Sequence, residues 1–281
     1  MFLILKKEKL NPSMTKMVIL APLIAKKAKA GQFIILRVDE FGERIPLTIS
    51  DYNVNDGTVT IIYQKVGKTT MKLDKLNQGD YILDFVGPLG KASELDGFNN
   101  VAVIGGGAGC AIALPQAKAL FNKQITNIDI IAGFRNKDLI ILEKEMRAVS
   151  NNLFIVTDDG SNSNKGLVTD ILKKRINDDV KYDLVIAIGP LQMMKAVSNL
   201  TKIYNIKTMV SMNPIMIDGT GMCGCCRLTL DGKTKFACVD GPDFDGHKVN
   251  FDEAINRLKA YKDKEDMERK REENCNLMGG I

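Results

Sequence analysis

Val101-Ala102-Val103-Ile104-Gly105-Gly106-Gly107-Ala108-Gly109-Cys110 is the stretch that decides the fold of this chain. Its apolar, mostly β-branched start has the texture of a buried strand. The glycines then form a tight turn, and Ala111-Ile112-Ala113-Leu114-Pro115-Gln116-Ala117-Lys118-Ala119-Leu120-Phe121 continues as a helix. A strand–glycine turn–helix unit lets backbone approach a pyrophosphate at a helix N-terminus. Gly105, Gly106, Gly107 and Gly109 are therefore candidate dinucleotide-binding residues. Cys110 takes the third-glycine place of G-x-G-x-x-G, where a small residue suffices, and reads as a packed thiol.

Toward the C-terminus the same texture recurs. IDIIAGF (128–134), LFIVTD (153–158) and DLVIAIG (183–189) alternate with helical stretches such as LIILEKEMRAV (139–149), which predicts a parallel sheet covered by helices over residues 98–208. Ligands bind such sheets at the carboxyl ends of the strands, which nominates Arg135, Asp158, Asp159, Gly189 and Pro190. Arg135 stands where an acidic residue would hold the ribose; it fits a 2′-phosphate and reads equally as a solvated loop residue.

Toward the N-terminus, residues 1–97 hold short runs such as FIILRV (33–38), VTIIYQKV (59–66) and YILDFVG (81–87), separated by turn signals. They predict a small antiparallel barrel. Arg44 can pair bidentately with a phosphate, and Gly67 with Thr69 and Thr70 offers backbone and hydroxyl donors to a pyrophosphate.

Composition sets the limits. The chain has 281 residues, 45% hydrophobic and 26% charged, with a net charge of +5 spread as scattered lysines. Nothing approaches a membrane span of about eighteen apolar residues, and no basic stripe marks a nucleic-acid binder. A cytoplasmic protein is expected, with neither membrane nor nucleic acid as partner. Of six cysteines, Cys223, Cys225, Cys226 and Cys238 fall within sixteen positions. In a cytosolic chain that points to metal or redox chemistry before disulfides.

Plant-type [2Fe-2S] proteins use C-x4-C-x2-C and a distant fourth cysteine. Here Asp218 stands in the first place of that spacing, followed by Cys223, Cys226 and, after eleven residues, Cys238. These four are the candidate ligands, in a Gly- and Cys-rich subdomain at 209–250. A zinc knuckle, Cys225 in place of Asp218, and a ligand role for His247 are the competing readings. Residues 251–281 are strongly charged and read as a solvated helix with a frayed end.

The ordered set Arg44–Ser50, Tyr63–Thr70, Gly87-Pro88-Leu89-Gly90 and then a dinucleotide fold resembles the ferredoxin-NADP reductase superfamily. The resemblance implies an FAD site made by Arg44, Pro46, Leu47, Thr48, Ile49, Ser50, Ile62, Tyr63, Gln64, Val66, Gly67, Thr69, Thr70 and Gly87. The cysteine motif on its C-terminal side resembles the dihydroorotate dehydrogenase electron-transfer subunit, whose first ligand is normally Cys. Asp218, the run Asp240–Gly246 and the charged terminus look more like the small subunit of NADH-dependent reduced ferredoxin:NADP oxidoreductases, also known as sulfide dehydrogenase subunits. That likeness implies FAD, an Asp-ligated [2Fe-2S] cluster and an NAD(H) site in this chain. It implies a larger partner carrying a second FAD, [4Fe-4S] clusters and the NADP(H) site, which reduces ferredoxin, the pair performing electron bifurcation. No catalytic side chain is expected, because hydride exchange between nicotinamide and flavin is the cofactors' own chemistry.

Overall fold

The computed structural model describes residues 1–260 and Met267, so most of the expected charged tail, with Cys275, lies outside the described residues. Alternating apolar residues in the N-terminal third form β1 (Phe2–Asn11), β2 (Met14–Leu20), β3 (Phe33–Arg37), β4 (Ile45–Asn53), β5 (Thr58–Gln64), β6 (Tyr81–Ile82) and β7 (Asp84–Leu89). They make one seven-stranded antiparallel sheet in the order β6-β1-β2-β5-β4-β3-β7. The sheet curls around Ile4, Met17, Ile19, Ile34, Leu36, Ile61, Tyr63 and Phe85. A short α1 (Pro22–Ala25) leads toward β3, and α2 (Lys68–Lys75) follows β5.

Asp74 ties α2 to this barrel. Its carboxylate accepts from Thr15 Oγ1 at 2.6 Å and from Tyr63 Oη at 3.3 Å, and pairs with Lys65 at 3.4 Å and Lys7 at 3.9 Å. Burial works to raise its pKa, but the Thr15 hydroxyl and the two lysines outweigh it and hold the carboxyl below the usual range. The C-terminal turn of α2 is thereby fixed against the barrel at β2 and the end of β5.

From Asn100 onward the chain alternates β8 (Asn100–Gly106), α3 (Gly109–Asn122), β9 (Asn127–Phe134), α4 (Glu143–Ala148), β10 (Asn152–Thr157), α5 (Val168–Asn177), β11 (Leu184–Ile188), α6 (Leu191–Ile203) and β12 (Thr208–Ser211). The sheet order is β10-β9-β8-β11-β12-β15, where β15 is Asp243–Asp245, parallel throughout except for this last strand. Strand order reverses at β8 and β11, which makes their carboxyl ends the topological switch point. The two faces of β8 divide the core. Val101 and Val103 pack with Ala111, Leu114 and Ala117 of α3, whereas Ala102 and Ile104 pack with Leu172, Met194 and Val197 of α5 and α6.

The remaining segment carries the hairpin β13 (Arg227–Leu230) and β14 (Lys233–Phe236), then α7 (Ala237–Asp240), β15 (Asp243–Asp245) and α8 (Phe251–Lys259). Because β15 pairs antiparallel with β12, this subdomain is stitched to the larger sheet. Its buried Cys226, Leu228, Ala237, Cys238 and Phe251 share one core with Val185, Val210 and the barrel residues Phe33 and Ile35. Each large apolar side chain so buried contributes about 1.5–3 kcal/mol. Among the described residues no helix is long and apolar enough to cross a membrane.

Candidate functional site

A groove of about 1600 Å³ runs between the barrel, the parallel sheet and the cysteine-rich subdomain. One wall is Arg44, Pro46, Leu47 and Thr48 of the β4 segment, Ile62, Tyr63 and Gln64 of β5, and Val66, Gly67, Thr69 and Thr70 at the start of α2. The opposite wall is Ala108 just before α3 and Ile112 on it, Leu191 of α6, the segment from Ser211 to Ile217, Cys225, Arg227, and Ala254, Arg257 and Leu258 of α8. The second wall was not legible in the sequence, because it is assembled from segments that only folding brings together.

The barrel residues divide by what their side chains do. Arg44 is exposed and, among the described residues, has no ion-pair partner, so its guanidinium is free to meet a phosphate. Thr70 Oγ1 accepts from the amides of Val66 and Gly67, both at 3.1 Å, and donates to Gly67 O at 2.9 Å. It braces the turn, leaving the first amides of α2 as the donors. Thr69 Oγ1 donates to Glu43 at 3.3 Å. Tyr63 sends its ring into the barrel, where burial pushes its hydroxyl pKa well up, so only its backbone serves the groove. Ile49 is barrel core, Ser50 Oγ is buried without a partner, and Gly87 lies outside the groove wall, where a Cβ would sit 2.7 Å from Ile34.

At the switch point the glycines are used for close approach. A Cβ on Gly109 would lie 2.2 Å from Ile188 O, one on Gly106 2.5 Å from Met193 Sδ and 3.0 Å from Pro190, and one on Gly189 3.1 Å from Gly106. Gly107, at φ +55°, faces open space. At the ends of β8 and β11, Gly106 is buried beneath Met193 and Pro190, so the open surface is Gly107, with Gly189 half-buried and Pro190 exposed beside it. Gly105 packs on Cys110, whose thiol is 1% exposed and pushed up to about 12 by burial, the state of a packed and unreactive cysteine. Arg135, Asp158 and Asp159 are exposed together at the ends of β9 and β10: Asp158 N donates to Phe134 O at 3.0 Å and Asp159 N to Arg135 O at 3.3 Å. Ser161, through its hydroxyl and amide, holds the Asp159 carboxyl below the usual range.

The cysteine loop folds on glycines at φ +74° (Gly219), +83° (Gly221) and +68° (Gly224). Asp218 accepts from Thr220 N and Cys223 N, both at 2.9 Å, and those amides, Thr220 first, hold its carboxyl in the charged form. Cys226 and Cys238 are 1% and 2% exposed, with their sulfurs 3.2 Å apart. Burial and the neighbouring Cys226 push the Cys238 thiol up to about 12, so a cation is needed to hold that sulfur as a thiolate. Cys225 Sγ points back to Cys223 O at 4.0 Å and lies on the groove wall. His247 turns its ring to Thr201 Oγ1 at 3.0 Å.

Among the described residues no three Cys, His, Asp or Glu side chains converge as one ion requires. A [2Fe-2S] cluster takes its ligands in pairs, two to each iron. The close Cys226–Cys238 pair and the hydrogen-bonded Asp218–Cys223 segment fit that division better than they fit a tetrahedral zinc site.

Comparison with known proteins agrees. Residues 213–250 match the family described as the iron-sulfur cluster binding domain of dihydroorotate dehydrogenase B, and residues 103–199 the oxidoreductase NAD-binding domain. A dihydroorotate dehydrogenase B (NAD(+)) electron transfer subunit homolog of Thermotoga maritima is 44% identical, covering 93% of this chain and 92% of its own. The electron transfer subunit of Clostridium perfringens is 34% identical, over 80% of this chain and 88% of its own. A solved chain of the NADH-dependent reduced ferredoxin-NADP oxidoreductase, studied for flavin-based electron bifurcation, superposes with a TM-score of 0.89 at 43% identity, covering 95% of this chain and 96% of its own. The chain belongs to the family of dihydroorotate dehydrogenase B electron-transfer subunits and their homologues, oxidoreductases that join an NAD-binding domain to an iron-sulfur domain.

Proposed function

We propose that this chain is the FAD- and [2Fe-2S]-carrying electron-transfer subunit of an electron-bifurcating, NADH-dependent ferredoxin:NADP oxidoreductase. It exchanges hydride between NAD(H) and FAD and single electrons with a larger subunit that holds a second flavin, [4Fe-4S] clusters and the NADP(H) and ferredoxin sites. The observation that carries this reading is the groove, which touches the barrel motif, the start of α3 and the cysteine loop at once. When bound, flavin links two-electron to one-electron traffic and the cluster takes one electron at a time.

The chain's own residues bind and orient. Arg44 and the first amides of α2 hold the flavin pyrophosphate, while Pro46, Leu47, Ile215, Met216 and Leu228 give that groove apolar walls that exclude water. Gly106, Gly107, Gly189 and Pro190 admit the nicotinamide dinucleotide at the switch point. Asp158 and Asp159 beside Arg135 favour a ribose with free hydroxyls over a 2′-phosphate, which agrees with NADH as the coenzyme. Asp218, Cys223, Cys226 and Cys238 hold the cluster.

A dihydroorotate dehydrogenase-like subunit is the second reading, favoured by the iron-sulfur family match and opposed by Asp218, since cysteine is usual there. Stopped-flow bleaching with each coenzyme and copurification of the native partner test the proposal. NADH is expected to reduce the flavin faster than NADPH, and the partner to carry flavin and [4Fe-4S] clusters. A colourless, zinc-loaded chain would overturn the reading, and copurification with a dihydroorotate-oxidising subunit would replace it by the second.

A further inference from the structure

We propose that Arg227 and Arg257 form a cationic clasp on the wall shared by the cysteine loop and the flavin groove, and that its charge raises the reduction potential of the cluster. The inference rests on the function proposed above and deepens it. Arg227 opens β13 and donates from Nη1 to Gly224 O at 3.2 Å. Arg257, on α8, donates from Nη2 to Cys225 O at 3.3 Å. Two guanidiniums from elements far apart in sequence thus grip consecutive carbonyls of the segment between Cys223 and Cys226. Both side chains also line the groove proposed for the flavin, beside the loop that carries Cys223 and Cys226.

The charge on these arginines is uncompensated. Elsewhere on the groove wall Arg37 is paired with Asp84 at 2.7 Å, and α5 carries Arg175 paired with Asp129 at 3.0 Å. Arg227 and Arg257 have no carboxylate partner among the described residues; each spends its hydrogen bonds on loop carbonyls. One-electron reduction adds negative charge to a site already ringed by three thiolates and the Asp218 carboxylate. A fixed cation beside that site stabilises the reduced form and raises the potential, as net charge and local hydrogen bonds do for iron-sulfur centres generally. The two arginines are unequal. Arg227 is exposed, so solvent and salt screen it, whereas Arg257 is half-buried and acts through less water. Both are positioning residues, and neither is required to touch the cluster.

The test is EPR-monitored redox titration of the full chain and of its R257Q, R257K and R227Q variants, with iron and flavin content measured in parallel. R257Q is expected to shift the cluster equilibrium about tenfold toward the oxidised form, equal to about 59 mV for a one-electron couple. R257K, which keeps the charge and loses the fork, stays close to the unmodified chain. R227Q shifts less, and its shift shrinks as salt rises. An R257Q chain with full iron and an unmoved potential would overturn the proposal, and so would an R257K shift as large as that of R257Q. If R257Q fails to retain iron, R227Q decides: no shift at low salt overturns the proposal. An unmodified chain without iron refutes the cluster itself, and with it the function on which this inference rests.

Discussion

At the scale of single residues, the site separates groups that present charge from groups that hold others in place. Arg44 is the first kind: exposed, unpaired among the described residues, and on the groove wall. Arg44→Ala is expected to weaken FAD retention by about 1.5–3 kcal/mol, the loss of one charge-assisted phosphate contact. Fluorimetric titration of the flavin-stripped chain measures it, and unchanged affinity removes Arg44 from the site. The cysteines sort in the same way. Cys226 is buried against Cys238, while Cys225 turns to a backbone carbonyl. Cys226→Ala should therefore lose the cluster and Cys225→Ser keep it. Asp218→Cys should keep the cluster at a lower potential, because thiolate donates more electron density than carboxylate. Iron analysis with EPR titration reads all three variants. Loss of iron in Cys225→Ser, with an unaltered potential in Asp218→Cys, would show that the ligands are wrongly assigned. Residue type alone did not reveal that Thr70 braces its own turn or that Tyr63 faces inward; which side of β5 meets the core depends on the closure of the barrel.

Among the elements, the β8–α3 turn was the most legible, because its glycines answer to local geometry that sequence displays directly. They differ in what they do. A Cβ on Gly109 would meet Ile188 O at 2.2 Å and Gly189 Cα at 2.7 Å, backbone atoms that cannot step aside. Gly109→Ala is expected to cost at least 1–3 kcal/mol, roughly the penalty for overpacking, and to lower the thermal midpoint. Gly107 has open space around it and φ +55°, so Gly107→Ala should cost only about 1 kcal/mol of backbone strain. Its larger effect should be on NAD(H) affinity, through a methyl group placed where the dinucleotide passes. Thermal melts and coenzyme titration of both variants separate the two roles, and equal destabilisation would refute the distinction. The parallel strands were legible for the same local reason, being short apolar runs between turns. β15 was not, because Asp243–Asp245 is short, acidic at both ends and set in a segment read as irregular. It is a strand only because β12 offers it an open edge. The groove wall from Ser211 to Ile217 and the approach of α8 escaped notice likewise, since no local pattern announces a contact made across the molecule.

At the scale of the whole molecule, Asp243 joins the three parts. Its Oδ2 accepts from Ser93 Oγ at 2.5 Å, just past the barrel, and from Gln116 Nε2 at 3.0 Å on α3, while β15 carries it on the iron-sulfur side. Oδ1 is buried without a partner, as is Gln116 Oε1. Burial pushes the carboxyl up to about 6, and the groups around it, Ser93, Gln116 and Ser211, are all neutral, so no cation offsets that cost. The folded chain therefore keeps this proton between about pH 4 and pH 6, where the unfolded chain has already lost it. The sign follows: the contribution of Asp243 to stability is full below the unfolded value of 3.8, declines as pH rises, and is gone above about 6. The rise corresponds to about 3 kcal/mol over that window. Asp243→Asn cannot ionise and keeps a carbonyl oxygen able to accept from Ser93 and Gln116. It should match the unmodified chain near pH 4 and exceed it by up to about 3 kcal/mol at pH 8. Urea denaturation of both chains across this range isolates the effect as a difference, because every other titrating group is common to the two. Parallel stability curves would show that this carboxyl ionises as freely when folded as when unfolded. It would then be a solvated surface group and not the buried clasp between the barrel, the dinucleotide domain and the cluster subdomain.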